Sequence, residues 1–346
     1  MIDLFRVAIS RQLESYASAT DVGLGRLDST PGIEHGFLGG VAEELSADEL
    51  DGYDALLMEG SRLSVTSLSE PARPAVVARF GVGYDNVDVA ACTANATLVT
   101  ITPDAVRRPV AVAALTLVLA LSQRLLVRDR LTRGGRWAEG NDHVGVGLVG
   151  RTLGVIGLGN IGRELMRLVE PFDVRRLASD PFVPGAVAES VGAQLVDLES
   201  LLRESDFVVI LCQLTEDTRH LIDAPRIELM KPSACLVNVA RGAIVDQSAL
   251  TRALREGRIG GAALDVFERE PVDPGDPLLA LDNVILSPHS LSSTDQCLRG
   301  CGESAVRCIL DVAAGRVPHN VVNPAVLDDE RLQRRLAAFR GRDGGR

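Results

Sequence analysis

The chain has 346 residues, enough for two domains of ordinary size. Its hydrophobic content of 46% and charged content of 24% are typical of a soluble globular protein. The formal net charge of −11 argues against a nucleic-acid or anionic-membrane partner, because phosphate groups are bound by clusters of Lys and Arg.

Short apolar runs alternate with longer helical stretches along the whole chain. Runs of this length without regular polar alternation are typical of strands covered on both faces, so they predict parallel sheets with helices on each side. The fold class is therefore predicted to be α/β, with two Rossmann-like units of doubly wound parallel sheet. The predicted strands are 5–9, 55–59, 76–80, 97–101, 153–157, 175–179, 207–212, 235–239, 262–266 and 283–287.

No targeting or membrane segment is predicted. The N-terminus lacks a charged region followed by an apolar run of signal-peptide length. The most apolar stretch, Pro109 to Leu121, has 13 residues and is shorter than the roughly 18 expected of a membrane span. It predicts a helix buried in a core or against a second subunit, and we expect a homodimer formed through it.

The six cysteines predict neither a metal site nor a disulfide framework. They form no C-x-x-C pair, and the nearest histidines, His289 and His319, do not have the spacing of a zinc finger. Free thiols are typical of a reducing compartment, so a cytoplasmic location is expected.

A glycine-rich segment, residues 157–162, follows one predicted strand and opens an apolar-periodic helix. We call it the glycine turn. Gly157, Gly159 and Gly162 form G-x-G-x-x-G, in which glycines permit the tight turn, the backbone approach to a pyrophosphate and the close packing of the helix. A methyltransferase glycine loop is a minor alternative. The context of strand, turn and helix favours a dinucleotide site.

Asp180 ends the next predicted strand, 18 residues after Gly162, where an acid binds the ribose hydroxyls of adenosine. A carboxylate there repels a 2′-phosphate, and Pro181 and Phe182 provide no arginine to receive one. The cofactor is therefore predicted to be NAD rather than NADP.

Arg241, Glu270 and His289 each follow the carboxyl end of a predicted strand, where open α/β sheets bind ligands. Taken alone, each is more readily interpreted as an ordinary residue: Arg241 as a surface charge in a turn, Glu270 as a loop acid and His289 as an ordinary histidine. Together they provide a cation for a carboxylate, an imidazole for proton transfer and an acid to orient the imidazole. These are the groups needed to reduce a 2-keto acid with a nicotinamide cofactor.

The segments around these residues, ARGAIVD, ALDVFEREP and NVILSPH, resemble those of the D-isomer-specific 2-hydroxyacid dehydrogenases, as do the glycine turn and RFGVGYDNVD at 79–88. Within this family the chain is similar to the phosphoglycerate dehydrogenases and the glyoxylate/hydroxypyruvate reductases. The resemblance implies a discontinuous, flavodoxin-like substrate domain, a cleft between the two domains, and a hinge near 102–107 and 293–302. The domains are predicted as 1–105 plus 295–346 for substrate and 106–294 for NAD.

The resemblance also implies the role of each site residue. His289 is the general acid/base, Glu270 orients it, Arg241 binds the substrate carboxylate and Asp265 holds the nicotinamide carboxamide. The N–H groups of Val82 and Gly83 contact the same substrate carboxylate. The residues implied to contact the dinucleotide are Gly157, Gly159, Asn160, Ile161, Gly162, Asp180, Cys212, Thr218, Val239, Ala240, Asp265 and His289.

The chain departs from the family pattern in ways that leave the substrate open. The departures are Asp104, Val106, Val112, Gln213, Leu291 and Ser292. Phosphoglycerate, hydroxypyruvate or glyoxylate, and bulkier 2-keto acids are all compatible with the motifs. Arg107 and Arg108 could face solvent or contact a second anionic group, and solvent is preferred. The alternative function is an NAD(H)-sensing interaction protein that resembles the C-terminal-binding corepressors.

Overall fold

The computed structural model describes residues 4–70 and 74–343. The chain divides into two compact units, the first made of Met1–Val106 with Ser293–Arg346 and the second of Arg107–Ser292. The sequence placed these boundaries at 105/106 and 294/295, one and two residues away.

Twelve strands and thirteen α-helices are described. The strands are β1 Phe5–Ile9, β2 Ile33–Phe37, β3 Ala55–Met58, β4 Val76–Arg79, β5 Leu98–Thr100, β6 Thr152–Ile156, β7 Arg175–Ser179, β8 Gln194–Leu195, β9 Phe207–Ile210, β10 Cys235–Asn238, β11 Gly261–Leu264 and β12 Val284–Leu286. The helices are α1 Gln12–Ala19, α2 Gly25–Ser29, α3 Ala47–Leu50, α4 Val89–Ala94, α5 Pro103–Ser122, α6 Leu125–Arg133, α7 Asn160–Leu168, α8 Gly185–Glu189, α9 Leu198–Glu204, α10 Ala224–Leu229, α11 Gln247–Arg255, α12 Asp295–Ala313 and α13 Glu330–Asp343.

The first unit is built on a five-stranded parallel sheet in the order β2-β1-β3-β4-β5. This is the flavodoxin-like order, and it confirms the predicted fold of a discontinuous first unit. The strand β3 is buried at every position, and Leu56, Met58, Val77 and Val99 lie in one apolar core.

The second unit is built on a seven-stranded parallel sheet in the order β12-β11-β10-β9-β6-β7-β8. The strand order reverses between β6 and β9, which are hydrogen-bonded neighbours with Val155 opposite Val209. Open α/β sheets bind ligands beyond the carboxyl ends of the strands at such a reversal. The glycine turn directly follows β6 and therefore lies at this point.

Two strands, β2 and β8, were not predicted from the sequence. The strand β2 has the sequence IEHGF and its side chains are half-buried or exposed, and β8 has only two residues. Both lie at a sheet edge, so neither needs the continuous apolar run that marks the central strands.

The apolar stretch predicted as a helix from 109 to 121 lies inside the longer helix α5. By length and composition alone, α5 could cross a membrane, and it is the one helix in the described ranges that passes this test. The buried core helix of a soluble protein passes it as well. Ala111, Ala114, Leu117 and Val118 pack in the core of the second unit, so the side of the helix that carries them is covered by its own chain.

Candidate active site

The three glycines of the glycine turn meet different physical requirements. Gly157 has φ +94°, and a Cβ atom there would lie 2.6 Å from the backbone nitrogen of Cys212. A Cβ at Gly162 would lie 2.3 Å from the carbonyl oxygen of Gly157. A Cβ at Gly159 would meet no protein atom within 4 Å, so only a group approaching from outside the protein would require a glycine there. A pyrophosphate beside the N-terminus of α7, where Asn160 and Ile161 begin the helix, fits this pattern.

Asp180 is fixed beside the glycine turn. Its Oδ2 atom accepts a hydrogen bond from the backbone N–H of Leu158 at 2.8 Å, and Oδ1 accepts one from Phe182 N–H at 2.9 Å. The carboxylate is half-buried and each oxygen keeps lone-pair capacity for a hydroxyl donor. These contacts hold an acid where the adenosine ribose is expected.

The loop after β9 borders the same point of the sheet and contains Cys212 and Thr218. Burial raises the pKa of the Cys212 thiol to about 11, so this side chain is a neutral thiol near neutral pH. The Thr218 hydroxyl donates to the carbonyl of Gln213 at 2.7 Å and accepts from the N–H of Thr215 at the same distance. Thr218 therefore shapes the loop, and cofactor contacts from either residue remain a prediction.

Residues 239–244, which follow β10, form the arginine turn. Asn238 is buried at the end of the strand; its Oδ1 accepts from Ala240 N–H at 3.0 Å and its Nδ2 donates to the Arg241 carbonyl at 2.9 Å. The half-buried Arg241 side chain donates from Nη1 to the Ala240 carbonyl at 2.8 Å. Gly242 is required because a Cβ there would lie 1.8 Å from the backbone carbon of Phe267.

Asn238 and Gly242 set the shape of the arginine turn, and neither was predicted from the sequence. The sequence feature that could have indicated Asn238 is its position at the end of an otherwise apolar, buried strand, where an amide side chain requires hydrogen-bond partners.

Glu270 and His289 are in direct contact. Oε2 of Glu270 lies 2.7 Å from Nδ1 of His289, and Oε1 accepts from the backbone N–H of Phe267 at 2.9 Å. Burial alone raises the pKa of Glu270, but the hydrogen bond and charge of His289, the Phe267 N–H and the charge of Arg241 outweigh it. The net pKa is lowered. An ionised Glu270 therefore faces the imidazole near neutral pH.

The loop that carries His289, which we call the histidine loop, is fixed by hydrogen bonds to Asp265. His289 has φ +53°, an unfavourable backbone conformation for a residue with a side chain. Asp265 is buried, and its Oδ1 accepts from the N–H groups of Ser290 at 3.0 Å and Leu291 at 3.2 Å. Asp265 thus orients the histidine loop, and its predicted bond to the nicotinamide carboxamide remains a prediction.

The other predicted positions are placed as follows. Val82 and Gly83 lie in the first unit after β4, both half-buried, and their contact with substrate stays a prediction. Arg108, in the second unit, donates to Glu164 of α7 at 2.5 Å, and this bond is the main cause of the lowered pKa of Glu164. Arg107 is exposed. Arg108 is therefore exposed to solvent and also paired with an acid, a pairing that was not predicted from the sequence.

A glycine turn at the reversal of a parallel sheet, with an arginine and an imidazole–carboxylate pair after later strands of the same sheet, defines a nicotinamide-dependent oxidoreductase. Residues 115–290 match the model of the D-isomer specific 2-hydroxyacid dehydrogenase, NAD binding domain. The chain is 38% identical over 295 residues to a glyoxylate reductase of Thermococcus onnurineus, covering 83% of this chain and 88% of that protein.

Two further proteins agree with this match. A D-3-phosphoglycerate dehydrogenase of Methanocaldococcus jannaschii is 38% identical over 85% of this chain and 56% of its own length. The structure of D-lactate dehydrogenase from Aquifex aeolicus with NAD and lactic acid superposes with a TM-score of 0.80 at 26% identity, covering 92% of this chain and 99% of that one. The chain belongs to the D-isomer specific 2-hydroxyacid dehydrogenase family. It is an NAD-dependent D-2-hydroxyacid dehydrogenase, as the sequence predicted, and the corepressor alternative is not favoured.

Proposed function

We propose that this dehydrogenase reduces small 2-keto acids, with glyoxylate as the first substrate to test, to the corresponding 2-hydroxy acids. The observation that carries the proposal is the 2.7 Å contact between ionised Glu270 and His289, beside the charge of Arg241. Glyoxylate is chosen because the relative with 38% identity over most of both chains is named a glyoxylate reductase.

In the proposed reaction, His289 supplies the proton. A carboxylate is an acceptor only, so Glu270 fixes the tautomer with a proton on Nδ1 and leaves Nε2 to face the substrate. Protonated Nε2 donates to the carbonyl oxygen of the keto acid as that oxygen gains charge. Bound NADH supplies the hydride to the carbonyl carbon, so the product carries one new C–H and one new O–H bond.

Arg241 is proposed to bind the substrate carboxylate and to stabilise the developing alkoxide. A guanidinium presents two parallel N–H donors to a carboxylate, which fixes orientation as well as charge. The N–H groups of Val82 and Gly83 in the first unit are proposed as further donors to this carboxylate.

NAD is proposed to bind along the glycine turn, with its ribose hydroxyls on Asp180. Replacing Asp180 by alanine is expected to weaken NADH binding by about tenfold, since hydrogen bonds to a charged acceptor are lost. NADPH binding should weaken less, because the repulsion of its 2′-phosphate is lost as well. Fluorescence titration of both cofactors measures the two effects. An equal loss for both would show that Asp180 acts only by holding Leu158 and Phe182.

Replacing Glu270 by glutamine is expected to change the pH dependence of reduction. The amide keeps the shape but loses the negative charge that stabilises a protonated imidazole, so the basic limb of kcat/KM should move to lower pH by about one unit. In the parent enzyme the lowered pKa keeps Glu270 ionised, and its contribution is lost only as the pH falls through that lowered value. An unshifted basic limb in Glu270→Gln would refute the charge role of Glu270.

The substrate is tested with a panel of 2-keto acids that differ in size and charge, assayed as NADH oxidation. Glyoxylate and hydroxypyruvate represent small substrates, phosphohydroxypyruvate an additional anion, and 2-ketoisocaproate a bulky apolar group. The proposal expects the highest kcat/KM for the small acids. Preference for the bulky acid would overturn the substrate proposal and leave the enzyme class intact.

We propose further that the enzyme is a cytoplasmic homodimer, with free thiols at all six cysteines consistent with a reducing compartment. The helix α5 cannot provide the whole interface, because Leu117 and Val118 pack in the core of their own unit. Large apolar side chains are instead exposed along the segment 125–149. They are Leu125 at 55%, Leu126 at 38%, Trp137 at 81%, Val144 at 72% and Val149 at 79%. Five large apolar side chains exposed within one segment of the chain are the reason for placing the association site there.

Sedimentation velocity at micromolar concentration is expected to give twice the chain mass of 36.8 kDa. Trp137→Ser with Val149→Ser should shift the protein toward the monomer, because both side chains lose apolar area for burial. Phe182→Ser is the matched control, since Phe182 is 91% exposed and lies outside this segment. A monomeric parent protein would contradict the proposal.

A further inference from the structure

Glu268 lies two residues before Glu270 in the turn 267–270, which we call the acid turn. Its Oε1 atom is 2.5 Å from Nε2 of His220, in the loop after β9. Its backbone N–H donates to the side-chain oxygen of Gln247 at 3.0 Å, and its Oε2 accepts from the Gln247 N–H at 3.4 Å. Gln247 begins α11 and donates onward to Asp276 at 2.7 Å. Glu268 thus joins the acid turn to two separate segments of the second unit.

The same contacts reach the arginine turn. The backbone N–H of His220 donates to the carbonyl of Ala243 at 2.8 Å, so His220 binds the arginine turn with its main chain and the acid turn with its ring. Gly242 lies directly against the acid turn, with room for no side chain between it and Phe267. His220 has φ +50°, an uncommon backbone conformation for a residue with a side chain. The residue is held in it by one hydrogen bond from its main chain and one from its ring.

We propose that Glu268 and His220 are positioning residues that fix the arginine turn relative to the acid turn, and so Arg241 relative to Glu270. The proposal rests on the function proposed above for those two side chains. Arg241 and Glu270 lie on different irregular segments, and the keto acid must meet both groups in one geometry. A displacement of about 1 Å at a reacting group can lower the rate by about 100-fold.

Because His220 and Glu268 are partly exposed, a positioning role can be distinguished from a contribution to the stability of the whole protein. The side chains of His220 and Glu268 are 43% and 35% exposed. Ion pairs with this much solvent contact contribute little to the free energy of unfolding. The loss of Glu268 is therefore expected in the kinetics of keto acid reduction and not in the melting temperature.

The test compares Glu268→Ala, Glu268→Gln and His220→Gln with the control Glu204→Ala. Glu204 has a similar exposure of 41% and pairs with Arg175 at 2.6 Å between β7 and the end of α9. We expect Glu268→Ala to lower kcat/KM for glyoxylate by about tenfold or more, with kcat reduced and KM raised, while the dissociation constant of NADH stays within about twofold. Glu268→Gln keeps one oxygen acceptor for the Gln247 N–H, and its amide NH2 can donate to Nε2 of a neutral His220 ring, so it should recover most of the activity. His220→Gln should show an intermediate loss.

Three outcomes would overturn the inference: kinetics of Glu268→Ala equal to those of Glu204→Ala, a melting temperature that falls well below that of the control, or no recovery in Glu268→Gln. A Glu268→Ala variant that fails to fold belongs to the second of these outcomes, and His220→Gln then shows by the same kinetic comparison whether the contact of the ring has a positioning role. The proposed function is tested first by the parent enzyme. A parent protein that reduces no 2-keto acid refutes that function, whereas an active parent with unaffected variants refutes only the positioning role.

Discussion

Replacing His289 by alanine is expected to lower kcat for glyoxylate reduction by about 10²–10⁴-fold, the range that a positioned general acid contributes. The imidazole is exposed and held by Glu270 at Nδ1, so its Nε2 atom is the available proton donor. NADH binding should be nearly intact, because the glycine turn and Asp180 do not depend on the His289 ring. Single-turnover NADH oxidation and NADH fluorescence titration measure the two quantities.

The matched control for this prediction is His35→Ala. His35 also pairs with a carboxylate, Asp28 at 3.0 Å, but lies in the first unit on the edge strand β2. Its loss should leave kcat unchanged. Substantial turnover in His289→Ala would overturn the proposed proton path.

Replacing Arg241 by lysine is expected to lower kcat/KM for glyoxylate by about 100-fold or more, with KM raised and kcat reduced together. An ammonium keeps the positive charge but cannot present two parallel N–H donors to a carboxylate. The loss in kcat follows from the weaker stabilisation of the developing alkoxide, where one lost donor typically costs about 10²–10³-fold.

Arg258→Lys is the matched control, because it makes the same change from a guanidinium to an ammonium at a position outside the proposed active site. Arg258 bonds Glu228 at 2.8 Å and the carbonyl of Met230 at 3.2 Å, between the start of β11 and α10. Its replacement should leave the kinetics unchanged. An increase in KM in Arg241→Lys with an unchanged kcat would mean that Arg241 binds the substrate without stabilising the transition state.

Central strands could be predicted from the sequence because they are covered on both faces. The runs at β3, β9 and β10 are almost entirely buried, and burial on both faces leaves a continuous apolar signature. The edge strands β2 and β8 have partners on one side only, so their composition is mixed and they were missed.

The site residues that could be predicted are those whose chemical role is indicated by their immediate neighbours in the sequence. Glycines between a strand and a helix, and ionisable groups directly after strands, can be read from neighbouring residues. The partners that hold these groups cannot, because they come from distant positions. Asp265 reaches the His289 loop across 25 residues, and His220 reaches Glu268 across 48. Only the register of the parallel sheet brings such residues together.

The measurement that tests the central claim most directly is the stereochemistry of product formed from hydroxypyruvate and NADH. The claim is that the second unit carries a dehydrogenase site with Arg241, Glu270 and His289 as its working groups. The prediction is sustained NADH oxidation by the parent enzyme, formation of D-glycerate, and loss of both in His289→Ala. Tight NADH binding without oxidation by any 2-keto acid, or formation of L-glycerate, would contradict it.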